Sequence, residues 1–267
     1  MTACRTMTPV TVGGMTVRIV TGSVEFEEMA RQRYAGFVRD TSGPAAEIEV
    51  EVIECTGLDP DQDLEVTREG GEWRLVRGDF VATWNPARRT GTVRQNLNPY
   101  SLDSVLRVIH SLDVVEAGGF LLHSASAIRN GRAWLFSGKS GAGKTTISRL
   151  APPDASLLTD EISYVRPGGD GVWRAHGTPF YGELARPGEN LSAPLEMACY
   201  LDKGPENRLD PLRPVEGARR ILENALFFAK DRALISRILK NACAFGAAVP
   251  ASRLTFRPDR SVWELIQ

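Results

Sequence analysis

The chain has 267 residues, enough for one or two domains with a real core, and its 42% hydrophobic and 24% charged residues exclude a disordered or fibrous protein. Lys plus Arg number 32 against 33 Asp plus Glu, a net charge of −1, which excludes a protein that binds nucleic acid mainly by counterion release; any anion must be held locally. No stretch approaches the roughly 18 consecutive apolar residues of a membrane span, and residues 1–6 lack the apolar run of a signal peptide, so a soluble, cytoplasmic protein with no membrane partner is expected. Cys4, Cys55, Cys199 and Cys243 lie far apart with no C-x-x-C, and with His110, His123 and His176 they form no recognisable metal motif; buried thiols are expected.

In chain order, residues 10–97 read as short strands with one helical insertion. Thr16–Val20 and Glu47–Val52 alternate apolar and polar residues with period two, the mark of half-buried strands. Between them Phe26, Met29, Ala30, Tyr34 and Phe37 recur at helical spacing. Gly70-Gly71 separates Leu64–Thr67 from Trp73–Val76, and Thr90-Gly91 separates Phe80–Trp84 from Thr92–Gln95, so two hairpins are expected. No chemical motif occurs here, and Arg88-Arg89 reads as a solvated turn. A helix capped by Ser101 follows, with Leu102, Val105, Leu106, Ile109 and Leu112 on one face and Gly118-Gly119 at its end. Strand patterns at Phe120–Ile128 and Ala133–Phe136 flank Asn130-Gly131, a hairpin signal. Further strands are expected near 156–166 and 172–176 and at Met197–Leu201, helices at 215–228 and 231–245, then a strand at Arg253–Phe256 and a terminal helical turn in Ser261–Ile266. The pattern divides the chain into a small β-rich region, 1–98, and an α/β (α+β) domain, 99–267.

Gly138-Lys139-Ser140-Gly141-Ala142-Gly143-Lys144-Thr145 matches G-x-x-x-x-G-K-[ST], the Walker A or P-loop pattern. Glycines let backbone N–H groups turn inward around phosphates, Lys144 sets an ammonium against the terminal phosphates, and Thr145 offers a hydroxyl to Mg²⁺ at a helix start that favours anions. The preceding strand 133–136 and a helix over 145–150 supply the context the motif needs. No L-S-G-G-Q or N-K-x-D follows. Instead Asp160-Glu161 arrives 16 residues after Lys144, a spacing that allows one helix and one return strand, so both acids can reach the bound phosphates. His123, 15 residues before Gly138, sits in the strand hairpin leading into the loop. A lone strand histidine is usually a core residue, but this pairing can carry it to the same sheet end as Asp160.

His123, the loop 138–145 and Asp160-Glu161 together resemble the catalytic domain of the HPr kinase/phosphorylase family over about residues 118–240, a fold that in turn resembles phosphoenolpyruvate carboxykinase. The resemblance implies Mg²⁺-dependent transfer of the γ-phosphate of ATP or GTP to a serine hydroxyl. It implies Asp160 as general base, His123 beside that base, and Lys144 and Thr145 in their loop roles. Glu161 stands where the family usually has a second aspartate near the metal. Glu183, in Gly177-Thr178-Pro179-Phe180-Tyr181-Gly182-Glu183, aligns with a metal-associated glutamate; read without the family it is an exposed loop acid or a cap for Leu184. The first hundred residues do not resemble the N-terminal domain of the sugar-regulation enzymes, and the family's later glycine-rich loop is missing. The chain is more similar to short HPr-kinase-like proteins of ribosomal-peptide biosynthesis clusters, which implies a serine-containing peptide or protein acceptor; archaeal relatives phosphorylate free serine. Two other readings stay open, a nucleotide-binding regulatory protein without transfer and a simple NTPase. Which arginine meets the phosphates is open among Arg186, Arg208 and Arg213, with Arg219-Arg220 read as a solvated face. The apolar residues of 221–245 are core or homo-oligomer contacts.

Overall fold

The computed structural model describes residues 5–41, 43, 45–54, 62–229 and 231–267; Cys4 and Cys55 fall outside them. It shows a mixed α/β protein divided into two compact units, Met1–Asp113 with Phe227–Asp231, and Val114–Leu226 with Arg232–Gln267. The division falls at Asp113, inside the helix at whose start the sequence pattern sets its boundary. Among the described residues no helix is long and apolar enough to cross a membrane.

The first unit is built on a seven-stranded sheet. β1 (Thr6–Val12) and β2 (Met15–Thr21) form an antiparallel hairpin through Gly13 and Gly14, and α1 (Val24–Arg33) carries the chain to β3 (Ala46–Val52), which runs parallel to β2. Ser23 caps α1 by accepting from Phe26 N, and acids in its first turn with arginines in its last suit the helix dipole. β4 (Glu65–Glu69), β5 (Glu72–Arg77), β6 (Phe80–Asn85) and β7 (Thr90–Gln95) form a meander whose last strand pairs parallel with β3, giving the order β1-β2-β3-β7-β6-β5-β4. The Gly70-Gly71 hairpin forms as expected. The next turn is displaced: residues 86–89 make it, with Arg89 at φ 54°, while Thr90-Gly91 belongs to β7. Glycine is needed there because a Cβ on Gly91 would lie 2.4 Å from the Thr83 carbonyl oxygen of the neighbouring strand.

α2 (Pro99–Glu116) begins before Ser101. Asn98 Oδ1 accepts from Tyr100 N, while Ser101 sits inside the helix and donates to buried Asp79 at 2.6 Å, so Ser101 is a tether and not the cap. Leu102, Val105, Leu106, Ile109 and Leu112 are buried, as their spacing predicts.

In the second unit β8 (Phe120–Arg129) and β9 (Arg132–Ser137) pair antiparallel across Asn130 and Gly131, both at positive φ. After α3 (Lys144–Arg149) the chain continues through β10 (Ser156–Thr159), β11 (Ile162–Pro167), β12 (Trp173–His176), β13 (Ser192–Lys203), β14 (Arg208–Pro211), α4 (Pro214–Asn224), α5 (Arg232–Ala248) and β15 (Ala251–Phe256), ending in a 3₁₀ turn at Arg260–Leu265. The pairings β8–β11, β11–β12, β12–β13, β13–β9 and β9–β8 close a five-strand circuit, and β15 adds to β13 in parallel. The strand pattern near 156–166 resolves into two strands that break at Asp160-Glu161, and the short strand expected at 197–201 lies within the twelve-residue β13. α4 stops at Asn224, short of the expected 228. Cys199 is buried, which pushes its thiol up to about 12, whereas Cys243 is exposed, contrary to expectation. Phe136, Ile147, Leu254, Phe256 and Trp263 share one core cluster, and Trp263 Nε1 donates to the Ile147 carbonyl at 3.1 Å, anchoring α3 to the end of the chain.

Candidate functional site

The loop 138–143 leaves the end of β9, a strand paired on both edges, and enters α3 directly. Space dictates Gly138 and Gly143, and a positive φ of 76° suits Gly141. A Cβ on Gly138 would meet the Ala142 Cβ at 2.8 Å, and one on Gly143, held at φ 111°, would meet Phe256 Cζ at 2.7 Å. Ala142 N closes the loop onto the Lys139 carbonyl at 3.0 Å, and the first α3 hydrogen bond runs from Ile147 N to Gly143 O, so the N–H groups of the first turn have no intrahelical acceptor. Lys144 is only 9% exposed and its Nζ donates to Gly138 O at 3.1 Å. Burial lowers its pKa against the opposing pull of the Glu161 and Glu183 carboxylates.

Asp160 and Glu161 occupy the break between β10 and β11. Thr159 makes that break: its Oγ1 accepts from Glu161 N and Ile162 N, both at 3.2 Å, and donates to Phe180 O at 3.1 Å. Asp160 is 4% exposed and accepts from Gly182 N at 3.1 Å on one oxygen and from Leu184 N at 3.0 Å on the other. Those two backbone donors flank Glu183, so the carboxylate also fixes the turn that carries the glutamate. Gly182 packs on Glu161, where a Cβ would lie 3.2 Å from Oε2. In register, His123 of β8 faces Ile162 of β11, and Ser124 N donates to Glu161 O at 2.9 Å; this pairing brings an exposed His123 beside the acids rather than into the core.

His123, Lys144, Thr145, Asp160, Glu161 and Glu183 line a single cavity of about 300 Å³, together with Ser140, Gly141 and Gly143 of the loop. Gly138, Lys139 and Ala142 line a neighbouring pocket of about 540 Å³, which shares Ser140 and Gly141 with the first. Oxygen donors on Thr145, Glu161 and Glu183 suit a hard cation. Among the described residues no three His, Cys, Asp or Glu side chains converge to hold a metal by themselves. Mg²⁺ normally takes one or two carboxylates and completes its shell with water and substrate phosphate oxygens, so this donor set fits it.

The candidate arginines separate. Arg208 pairs with Asp210, Arg213 with Glu216 at the start of α4, and Arg186 lines a third pocket with Arg149. Arg219 is solvated, as expected, but Arg220 lines the 540 Å³ pocket, as does Arg253 of β15, which the sequence did not single out. No local pattern marks Arg220 or Arg253. Arg253 reaches the loop because β13 pairs in parallel with both β9 and β15, and Arg220 reaches it from α4, which packs on β15.

A family model described as "ScmC: SynChlorMet cassette protein ScmC" matches residues 91–267, a segment that contains the whole cavity. No curated protein sequence matches. Among solved structures, the Hpr(Ser) kinase/phosphatase from Coxiella burnetii is similar at 11% identity over 55% of this chain and 85% of that one; at a TM-score of 0.31 the likeness carries no argument.

Proposed function

The chain belongs to the ScmC family of SynChlorMet cassette proteins, and from the cavity within the family segment we propose that it is a kinase that transfers the γ-phosphoryl group of ATP or GTP to a serine hydroxyl of a peptide or protein acceptor. One observation carries this reading: the lysine and threonine of a phosphate loop share a cavity of about 300 Å³ with a buried aspartate, a histidine and two glutamates. A site that only bound Mg-nucleotide could use Glu161 and Glu183 but would need no further carboxylate, Asp160, as a base beside the terminal phosphate.

Phosphoryl transfer asks the protein to position groups and neutralise charge. The loop N–H groups and Lys144 would hold the phosphates. Thr145, Glu161 and Glu183 would hold Mg²⁺, which when bound neutralises charge on the phosphate oxygens. The serine oxygen bonds to the γ-phosphorus as the bond to the β–γ bridging oxygen breaks, the nucleoside diphosphate leaves, and the serine proton passes to Asp160. Each Asp160 oxygen accepts one backbone N–H and keeps a second lone pair, so the carboxylate is oriented and still able to take a proton. His123 would set the polarity beside it.

The test is phosphoserine formation from γ-labelled ATP or GTP with Mg²⁺ and serine peptides or free serine. Acceptor-dependent transfer that is lost in Asp160→Asn supports the proposal. Hydrolysis at one rate with or without acceptor would make the protein an NTPase, and nucleotide binding without turnover would make it a regulator.

A further inference from the structure

The 540 Å³ pocket begins at the phosphate loop, with Gly138, Lys139 and Ala142 in its wall, and opens on the reaction cavity at Ser140 and Gly141; its lining beyond the loop has no role in the chemistry above. Its charge contrasts with that of its neighbour. The reaction cavity is lined by Asp160, Glu161 and Glu183 with Lys144, whereas the larger pocket is lined by Lys139, Lys203, Arg220 and Arg253 against Asp202 and Glu223. Glu223 is already paired, with Arg219 at 3.0 Å and Arg220 at 3.3 Å, and Asp202 accepts from the Lys203 backbone N–H at 3.0 Å. The pocket therefore presents a surplus of positive charge. The floor is rigid, because Tyr200 is 5% exposed and its hydroxyl donates to Gly217 O at 3.1 Å.

Base and ribose are uncharged and call for no cation, and the phosphates have the loop N–H groups, Lys139 and Lys144 at the pocket's near end, which leaves Lys203, Arg220 and Arg253 beyond the loop for another anion. A second anionic partner accounts for them. Acidic residues would be repelled by the carboxylates of the reaction cavity and drawn to the cationic pocket, while a short neutral serine side chain could cross at Ser140 and Gly141. Resting on the kinase reading, we propose that this pocket binds acidic residues flanking the acceptor serine, so that the protein selects serines set among carboxylates. Arg220, Arg253 and Lys203 are the residues that read them.

The experiment measures binding directly, so that it does not depend on turnover. A fluorescein-labelled peptide with a central serine between glutamates is titrated with full-length protein and Mg-ADP by anisotropy, beside the same peptide with glutamines. The glutamate peptide should bind about fivefold or more tightly, and added salt should erase the difference. Arg220→Gln with Arg253→Gln should remove the preference and leave Mg-ADP affinity unchanged, whereas Arg132→Gln, at the end of β9 remote from the loop, should change neither. Both substituted arginines are solvent-accessible, and circular dichroism checks that the variants fold. Equal binding of the two peptides would overturn the proposal, as would a loss of Mg-ADP affinity in the double variant, which would assign the pocket to the nucleoside. A glutamate preference without phosphoserine formation would keep this proposal and sink the kinase reading alone.

Discussion

Asp160 is bound on both oxygens, by Gly182 N and Leu184 N, and this double duty shapes what its replacement does. Asparagine offers a single acceptor oxygen, so one of those N–H groups would face an NH₂. Asp160→Asn is expected to lower transfer to serine by about 10²-fold or more by removing the base. It should also cost about 1–3 kcal/mol of stability through the orphaned donor, read as a lower melting temperature. Glu183 rides on the same turn, so nucleotide titration with and without Mg²⁺ separates loss of the base from loss of the metal position: unchanged Mg²⁺ dependence with lost transfer identifies the base. Lys144 is different in kind. Its ammonium is buried between the loop carbonyl of Gly138 and the field of Glu161 and Glu183, and a bound phosphate would give it a stronger partner. Lys144→Ala should weaken nucleotide binding about 10-fold to 100-fold, the loss of a charge-assisted hydrogen bond. Equal affinity by calorimetry would remove Lys144 from the phosphate site.

Two elements depend on single residues whose replacement can be tested cleanly. Arg33 at the end of α1 and Tyr34 beyond it both donate to Asp103 of α2, and the ion-pair side chains are 6% and 3% exposed. Removing one partner of a buried pair strands the other charge, so Asp103→Ala should destabilise the protein by about 3–5 kcal/mol, seen as a lower urea midpoint. The phosphate loop depends on Gly143, where alanine would meet both a left-handed φ and the Phe256 ring. Gly143→Ala should therefore impair nucleotide binding while the hairpin of β8 and β9 stays intact by circular dichroism. These elements also show how far the sequence is legible. Strand, loop and α3 were readable because turn chemistry and binary pattern agree there, as at Asn130-Gly131 and Gly70-Gly71. β14 was not, since Arg208–Pro211 lies on the surface with no buried face to impose alternation. His123, Lys144, Thr145, Asp160, Glu161 and Glu183 of the reaction cavity were named from spacing and resemblance, whereas Thr146, which also lines it, was not. The fixings of these side chains were not legible, because Gly182 and Leu184 act through backbone N–H groups that leave no side-chain signature. Arg220 and Arg253 escaped for another reason: the packing of α4 and the strand pairing of β15, not local order, set them beside the loop.

Across the whole molecule, each unit holds one histidine whose protonation opposes folding. His110 of α2 is fully buried, which lowers its pKa to about 4; nearby Asp113 pulls upward and Arg89 downward. His176 at the end of β12 is also lowered to about 4, by burial first and then by Arg166 and Arg174, while it packs edge-on to the Tyr164 ring at 5.7 Å. In the unfolded chain both titrate near the ordinary value of 6.5. Between that value and about 4 the unfolded chain binds more protons than the native one, so stability rises with pH there and falls on acidification. Asp79 acts in a lower window. Burial pushes it up, but hydrogen bonds from Arg77 and Ser101 outweigh that and hold it below its ordinary value of 3.8, so its contribution is lost only on further acidification. The melting temperature should therefore decline from pH 6.5 toward 4.5, ahead of carboxylate protonation. His110→Phe and His176→Phe should each flatten that decline, and the double variant should flatten it most. A wild-type melting temperature that is level over this range, or variants that follow the wild-type slope, would show that neither histidine is held neutral by the fold.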